Sequence, residues 1–473
     1  MFFFAICGIL TVQINTMSEK EAVNVFQDWL DGYLDFERLP QKNIFWLDTI
    51  KFLCGRFGNP QDASPCFHIA GSKGKGSVSK MIACILEESG LSCGLYTSPH
   101  ITDFRERIGT AHGFLPENIY EAAIRELVPR VESIIPDSLP EGRPVTWFEL
   151  VTLYAFICFR QMKVDCAVYE VGMGGRLDAT NVVHPAVCCI TPIELEHTEY
   201  LGDTLEKIAG EKAGIIKNGV PVIVAAQQKE SVRDVFRRKA AEAETVCTFV
   251  DDLVTFLDHS FSTCYMPGKT EGGRITCGMR VHVESPLFAR PVDTQLQLLG
   301  SIQAQNAAQA ALAVKTAFPS MDESVIERGL SRAVLPGRFE ITYSEKYPKL
   351  HYLILDGAHT VNSIRYTAET LGKLFGGSRL ELLFACAADK DVRDIAPLFT
   401  GMFSHITLTR PGETKQSDIE KAASAFRDAR LPFTANADFA AAIPAALSLA
   451  EKDGAVLLVT GSFYLVAEVK KYI

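Results

Sequence analysis

The stretch HIAGSKGKGSVSKMIACIL, His68 to Leu86, opens as an apolar strand, turns through three glycines and two lysines, and continues at helical spacing. Gly71, Gly74 and Gly76 permit a tight turn that aims successive backbone N–H groups inward, and a helix beginning near Ser77 adds its positive end. Lys75 is placed to reach a terminal phosphate. The strict G-x-x-x-x-G-K-[ST] pattern is absent, because Gly71 lies only three residues before Gly74 and Gly76 separates Lys75 from Ser77. The segment therefore reads as a phosphate-binding strand–loop–helix, with an ordinary glycine-rich turn as the alternative.

Outward from this stretch, short apolar runs alternate with helical ones. SCGLYTSP, DCAVYEVG, AVCCITPI and VPVIVAA read as buried strands, which means parallel βαβ units and an α/β fold. Residues 250–295 are irregular, with short β-like alternations. A second α/β series follows LPGRFE and contains HYLILDGAH, LELLFACAADKD, HITLTRP and AVLLVTGSF, each a strand ending in a polar turn. The boundary is placed near Pro336, giving an N-terminal domain over 18–335 and a smaller C-terminal α/β domain over 336–473. Ligands of such sheets bind at the carboxyl ends of the strands.

The 473 residues are 47% hydrophobic, enough for two cores, and the formal net charge of −10 argues against nucleic-acid or membrane-surface binding. Thirteen scattered cysteines without a C-x-x-C pair read as small core hydrophobes in a reducing compartment. The apolar start MFFFAICGILTVQI lacks a basic flank and is short for a bilayer span. Residues 1–17 read as an over-extended start, with a cytoplasmic protein beginning near Met17; a membrane anchor is the competing reading.

Two further motifs carry chemistry. In YEVGMGGRLDATN, Glu170 closes a buried strand, where an isolated carboxylate is costly unless it meets a cation. In ELEHTEYLGDTLEKIAGEKAGIIKNGVPV, His197 follows a strand and Lys212 lies on the next helix. A lone strand-end histidine is usually structural, yet Glu170 and His197 on successive βα units could share a metal. Ser98 in TSPH also ends a strand, as a turn cap or a ligand. Hard oxygen ligands with one imidazole beside a phosphate loop suit Mg²⁺ better than zinc.

Together these stretches resemble the folylpolyglutamate synthase/dihydrofolate synthase family of Mur-ligase-like amide ligases. IAGSKGKGS is similar to its phosphate loop, YEVGMGGRLDATN to its second signature, and HTEYLGDTLEKIAGEKAGIIKNGVPV to its metal-and-lysine segment. TSPHITDFRERI, TWFE, LPGRFE, DGAH, ADKD and GSFYLVAEV follow in the family's order, so the resemblance runs from about Leu39 to Val469. It implies a P-loop-type parallel-sheet ATPase domain followed by a Rossmann-like domain. It implies an enzyme of folate biosynthesis and one-carbon metabolism, a cytoplasmic monomer that uses ATP and two Mg²⁺ ions to join L-glutamate to folate or dihydropteroate.

By the same resemblance, Ser72, Lys73, Gly74, Lys75, Gly76 and Ser77 cradle the phosphates, and Asn306, Arg338, Asp356 and His359 contact nucleotide. Ser98 and Glu170 hold one Mg²⁺; Glu170, His197 and Lys212, as its carbamate, hold the second. Lys75, Glu170, His197, Lys212 and Arg338 form the catalytic set. Thr146, Leu177, Asp178 and Ala179 line a pterin pocket covered by a loop with Phe45 and Trp46. The sequence departs from the family's usual residues at Ser72, Lys73, Glu194, Glu196, Ile302 and Thr360; Lys73 replaces a more common Asn and Glu196 a usual Asp. Two rivals stay open: a Mur-type peptide ligase, which needs a nucleotide-sugar domain that the residues before Gly71 are too few to form, and a nucleotide-binding regulator without ligase activity.

Overall fold

The structure, a computed structural model, describes residues 19–35, 46–226, 229–261, 277–413 and 416–473. Two compact units emerge. Of the described residues, one gathers those up to 256 with 284–291 and 305–330; the other gathers those from 257 to 283 with 292–304 and those from 331 onward.

The first unit is built on seven strands: β1 (Cys66–Ala70), β2 (Cys93–Tyr96), β3 (Ile108–Gly109), β4 (Cys166–Glu170), β5 (Val187–Ile190), β6 (Val222–Val224) and β7 (Cys247–Phe249). Their order is β3-β2-β4-β1-β5-β6-β7, parallel except where β3 meets β2. All five residues of β1 are buried, as a central parallel strand covered on both faces requires. One core layer includes the helices Glu19–Leu30, Glu117–Glu132 and Trp147–Met162, through residues such as Phe26, Ile124 and Phe156. The other joins β1, β5 and β6 to the helices Leu205–Ala213 and Glu230–Glu242, through Ala213, Ile215 and Phe236.

The stretch read as irregular holds a three-stranded sheet of β8 (Phe256–Phe261), β9 (Met279–Glu284) and β10 (Val292–Leu296). β9 alternates buried and outward residues and pairs antiparallel with β10. The second unit's main sheet has six strands: β11 (Glu340–Thr342), β12 (Tyr352–Leu355), β13 (Leu380–Phe384), β14 (His405–Leu408), β15 (Thr434–Ala435) and β16 (Val456–Thr460). Their order is β11-β12-β16-β13-β14-β15. DGAH follows β12 and GSF follows β16, so both lie at carboxyl ends of paired parallel strands.

Ten described cysteines are free thiols, nine of them buried. Cys277 is disulfide-bonded, which corrects the expectation of core thiols throughout. Among the described residues no helix is long and apolar enough to cross a membrane.

Candidate functional site

Strand order explains why motifs far apart in sequence meet. β2, β4, β1 and β5 are consecutive neighbours, and their carboxyl ends carry Ser98, Glu170, the glycine loop and the His197 segment. Ile69 pairs with Glu170 and Ala70 with Ile190, so the three central ends are level.

The loop after β1 needs two of its glycines. Gly71 and Gly74 have φ of +139° and +91°, a region that side chains rarely tolerate. A Cβ on Gly71 would collide with Thr191 Oγ1, and one on Gly74 would lie 2.7 Å from Asn306 Oδ1. Asn306, expected to contact nucleotide, thus lies against the loop. The helix begins at Lys75, two residues before the expected Ser77, because Gly74 takes the left-handed N-cap conformation; no side chain caps it. Its uncapped start is the kind that receives an anion. Ser72 and Lys73 N–H donate to Pro192 O at 3.0 and 3.3 Å, so these two amides tie the loop to the segment after β5.

Lysines gather beneath this loop. Lys75 Nζ donates to Gly71 O at 3.1 Å, and Lys212 Nζ donates to the same oxygen at 2.8 Å. Lys212 is 1% exposed and also pairs with Glu196 Oε1 at 3.0 Å. Burial pushes the Lys212 ammonium down to about 8, against the pull of Glu196. Burial alone raises Glu196, but Lys212, Lys75 and Lys73 outweigh it and hold the carboxyl well below its usual range.

Glu170 is buried and accepts from Ser98 N–H at 3.3 Å. His197 is exposed and sits at φ +48°, a left-handed position uncommon for a side-chain-bearing residue. Its carbonyl accepts from Tyr200 and Leu201 N–H, which fixes it as the cap of the turn Thr198–Leu201. Among the described residues no three His, Cys, Asp or Glu side chains form a metal cluster by themselves. The carboxylate of Glu170 beside the Ser98 segment is a hard oxygen donor of the kind that Mg²⁺ takes together with waters and phosphate oxygens.

What positions Lys212 was not anticipated. The GMGGR loop lies directly on its helix: a Cβ on Gly175 would stand 2.9 Å from Glu211 O, and one on Gly214 would stand 2.5 Å from Arg176 Cα. Arg176 grips Glu211 through Nε and Nη2 at 3.0–3.2 Å. Asn181 Nδ2 donates to Arg176 O and Gly214 O, while Lys217 Nζ donates to Asn181 Oδ1 at 2.6 Å. Glycines at both contact points were the available signal.

The residues assigned to a pterin pocket lie on neighbouring elements. The helix Asp48–Arg56 and the helix Trp147–Met162 both pack on the turn Ala179–Val182. Trp46 donates to Thr49 Oγ1 at 3.0 Å, and the Arg143 guanidinium lies 4.1 Å from its ring centre. Phe45 lies outside the described residues. Leu177 is half-buried. Thr146 caps its helix reciprocally with Glu149, whose carboxyl burial pushes up to about 7. Asp178 is knotted into its own loop, accepting from Thr180 N and Oγ1 at 3.0 and 2.5 Å and from Met173 N at 3.0 Å. His68 Nε2 continues this chain to Thr180 Oγ1 at 2.8 Å.

In the second unit, residues of two motifs, LPGRFE and DGAH, converge on Phe463 of GSFYLVAEV, a residue not singled out from the sequence. The Arg338 guanidinium lies 4.4 Å from its ring centre, the His359 ring lies 6.1 Å away, and a Cβ on Gly357 would strike it. Asp356 is buried and accepts from Thr367 Oγ1 at 2.6 Å and Ala358 N at 3.0 Å. His359 Nδ1 donates to Gly357 O at 2.8 Å.

A parallel-sheet unit with a lysine-bearing phosphate loop, followed by an α/β unit with a strand-end DGAH turn, defines a Mur-type ligase. The Mur ligase middle domain matches residues 69–314, and the Mur ligase glutamate ligase domain matches 337–463. The dihydrofolate synthase/folylpolyglutamate synthase of Bacillus subtilis is 33% identical over 374 residues, 78% of this chain and 80% of that one. The Mycobacterium tuberculosis folylpolyglutamate synthase complexed with ADP superposes with a TM-score of 0.81 at 28% identity, covering 96% of this chain and 99% of that one. Escherichia coli FolC in complex with DHPP and ADP gives 0.76 at 25% identity, covering 94% and 97%. The chain belongs to the dihydrofolate synthase/folylpolyglutamate synthase family.

Proposed function

We propose that the chain joins L-glutamate to the carboxylate of a folate or of dihydropteroate, using ATP to form an acyl phosphate. The observation that carries this is the meeting, at four adjacent strand ends, of an uncapped helix start, two lysines on one loop carbonyl and a buried carboxylate. A substrate carboxylate oxygen attacks the γ-phosphorus and ADP departs. The glutamate amine then attacks the acyl carbon, loses a proton and expels phosphate. Carboxylate and triphosphate repel each other, so positioned cations dominate the catalytic requirement.

Within that scheme the loop Ser72–Ser77 holds the phosphates, and Lys75 keeps two donors beyond its bond to Gly71 O for the terminal phosphate. Ser98, Glu170, His197 and carbamylated Lys212 are assigned to two Mg²⁺ ions, which supply charge neutralisation of the phosphate oxygens. The closeness of GMGGR to the Lys212 helix supports a precise placement of that side chain. Asn306, Arg338, Asp356 and His359 are assigned to nucleotide. Trp46, Thr146, Leu177, Asp178 and Ala179 are assigned to the pterin, with Phe45 on the same loop. A cytoplasmic monomer acting on small molecules, without nucleic acid or membrane, completes the reading.

The test is ATP-dependent incorporation of labelled L-glutamate by the purified chain, with dihydropteroate and tetrahydrofolate side by side. Incorporation with either supports the reading; nucleotide binding without incorporation makes the regulator the better one. The Lys212 assignment has its own test. Lys212→Ala is expected to be nearly inactive and partly rescued by a short carboxylic acid, with a carbamate signal from ¹³C-bicarbonate in the wild type only. Rescue by an alkylamine instead defeats the carbamate.

A further inference from the structure

Two of the sequence departures at the phosphate loop meet each other. Lys73 Nζ lies 3.4 Å from Glu196 Oε2, while Lys212 Nζ takes Oε1 of the same carboxylate at 3.0 Å. Lys75, bonded to Gly71 O, adds its charge to the field on that carboxylate. In the unmodified chain, Lys73 and Lys75 of the loop and Lys212 of the helix Leu205–Ala213 therefore share a single anion that belongs to the chain itself. The extra methylene of Glu over the usual Asp gives the reach to span Lys73 and Lys212 together. The side chain is 12% exposed, so water screens these contacts weakly.

We propose that Glu196 is a built-in counter-anion of the phosphate loop. It competes with the phosphate chain of the incoming nucleotide for Lys73 and Lys75 and is displaced when that chain binds. This rests on the phosphate-site reading above. A polyphosphate brings several charges and more acceptor oxygens than one carboxylate, so it wins the exchange. Glu196 lowers the net affinity, since part of the attraction is used to break its ion pair with Lys73.

The experiment is calorimetric titration of the full chain with inorganic tripolyphosphate in EDTA, which removes metal and adenine from the comparison. Glu196→Gln is expected to bind about tenfold more tightly than wild type, because the internal rival charge is gone while Lys73 and Lys75 remain. Glu196→Asp, charged but shorter, is expected to fall between the two. Folded variants that bind at wild-type strength or more weakly overturn the proposal. If Glu196→Gln fails to fold around an unpaired Lys212, Glu196→Asp decides alone, and unchanged or weaker binding again overturns it. A wild type that binds no tripolyphosphate removes the phosphate-loop reading itself, and this proposal with it. A wild type that binds while the variants gain nothing removes only this proposal.

Discussion

Lys75 and His68 stand seven residues apart on one strand and loop, and their surroundings predict opposite consequences of replacement. Lys75 is half-buried and makes its one hydrogen bond to Gly71 O. Lys75→Ala is therefore expected to keep its circular dichroism and thermal midpoint while losing glutamate incorporation about a hundredfold or more, as loss of a transition-state charge partner does. Near-normal incorporation defeats the phosphate assignment. His68 is wholly buried, and burial, reinforced by the Lys217 charge, pushes it from 6.5 down to about 3. Below pH 6.5 the unfolded chain takes a proton that the folded chain refuses, so stability is full above 6.5 and falls as the pH drops toward 3. Between pH 7.5 and pH 5 this single group is expected to remove about 2 kcal/mol, and His68→Gln is expected to flatten that part of the profile. Identical pH profiles of wild type and variant, followed by thermal denaturation, count against it.

The elements that hold Lys212 make a claim on glycine rather than on charge. Gly214 faces Arg176 backbone at a distance where no Cβ fits, so Gly214→Ala must push the GMGGR loop and the helix Leu205–Ala213 apart. The expected result is a destabilisation of about 1–3 kcal/mol, as overpacking gives, with a fall in kcat far larger than in nucleotide affinity. Equal losses in both place the glycine in general stability only. These contacts also mark where sequence reading stops. The strands were legible because a parallel strand covered on both faces is an apolar run, as Cys66–Ala70 and Val187–Ile190 are. Their polar ends were legible as site candidates because strand ends in such sheets face ligands. Which side chains touch was not legible: Arg176 with Glu211, Lys73 with Glu196 and Arg338 with Phe463 join segments brought together only by strand order. The bonds of Ser72 and Lys73 N–H to Pro192 O were illegible for the same reason, since Pro192 lies at another strand's end. Cys277 was missed because a lone spacing says nothing of pairing.

At the scale of the whole molecule, each unit has its own sheet and its own buried apolar interior, seven strands in one and six in the main sheet of the other. A chain built this way is not expected to melt as one two-state body. Scanning calorimetry should resolve two transitions. The loop Ser72–Ser77, Lys212 and Glu196 all belong to the first unit. A ligand that binds only folded protein stabilises it in proportion to the logarithm of its concentration over Kd, about 2.7 kcal/mol at a hundredfold excess. For a unit of this size that amounts to a rise of several degrees. Inorganic tripolyphosphate carries neither adenine nor folate, so it should raise the transition of the first unit alone and leave the other where it was. Lys75→Ala should abolish the rise without moving either transition in the absence of the ligand. A rise in both transitions means that the phosphate chain is held by residues of both units. A rise that survives in Lys75→Ala means that the anion sits elsewhere than the loop from which the whole reading starts.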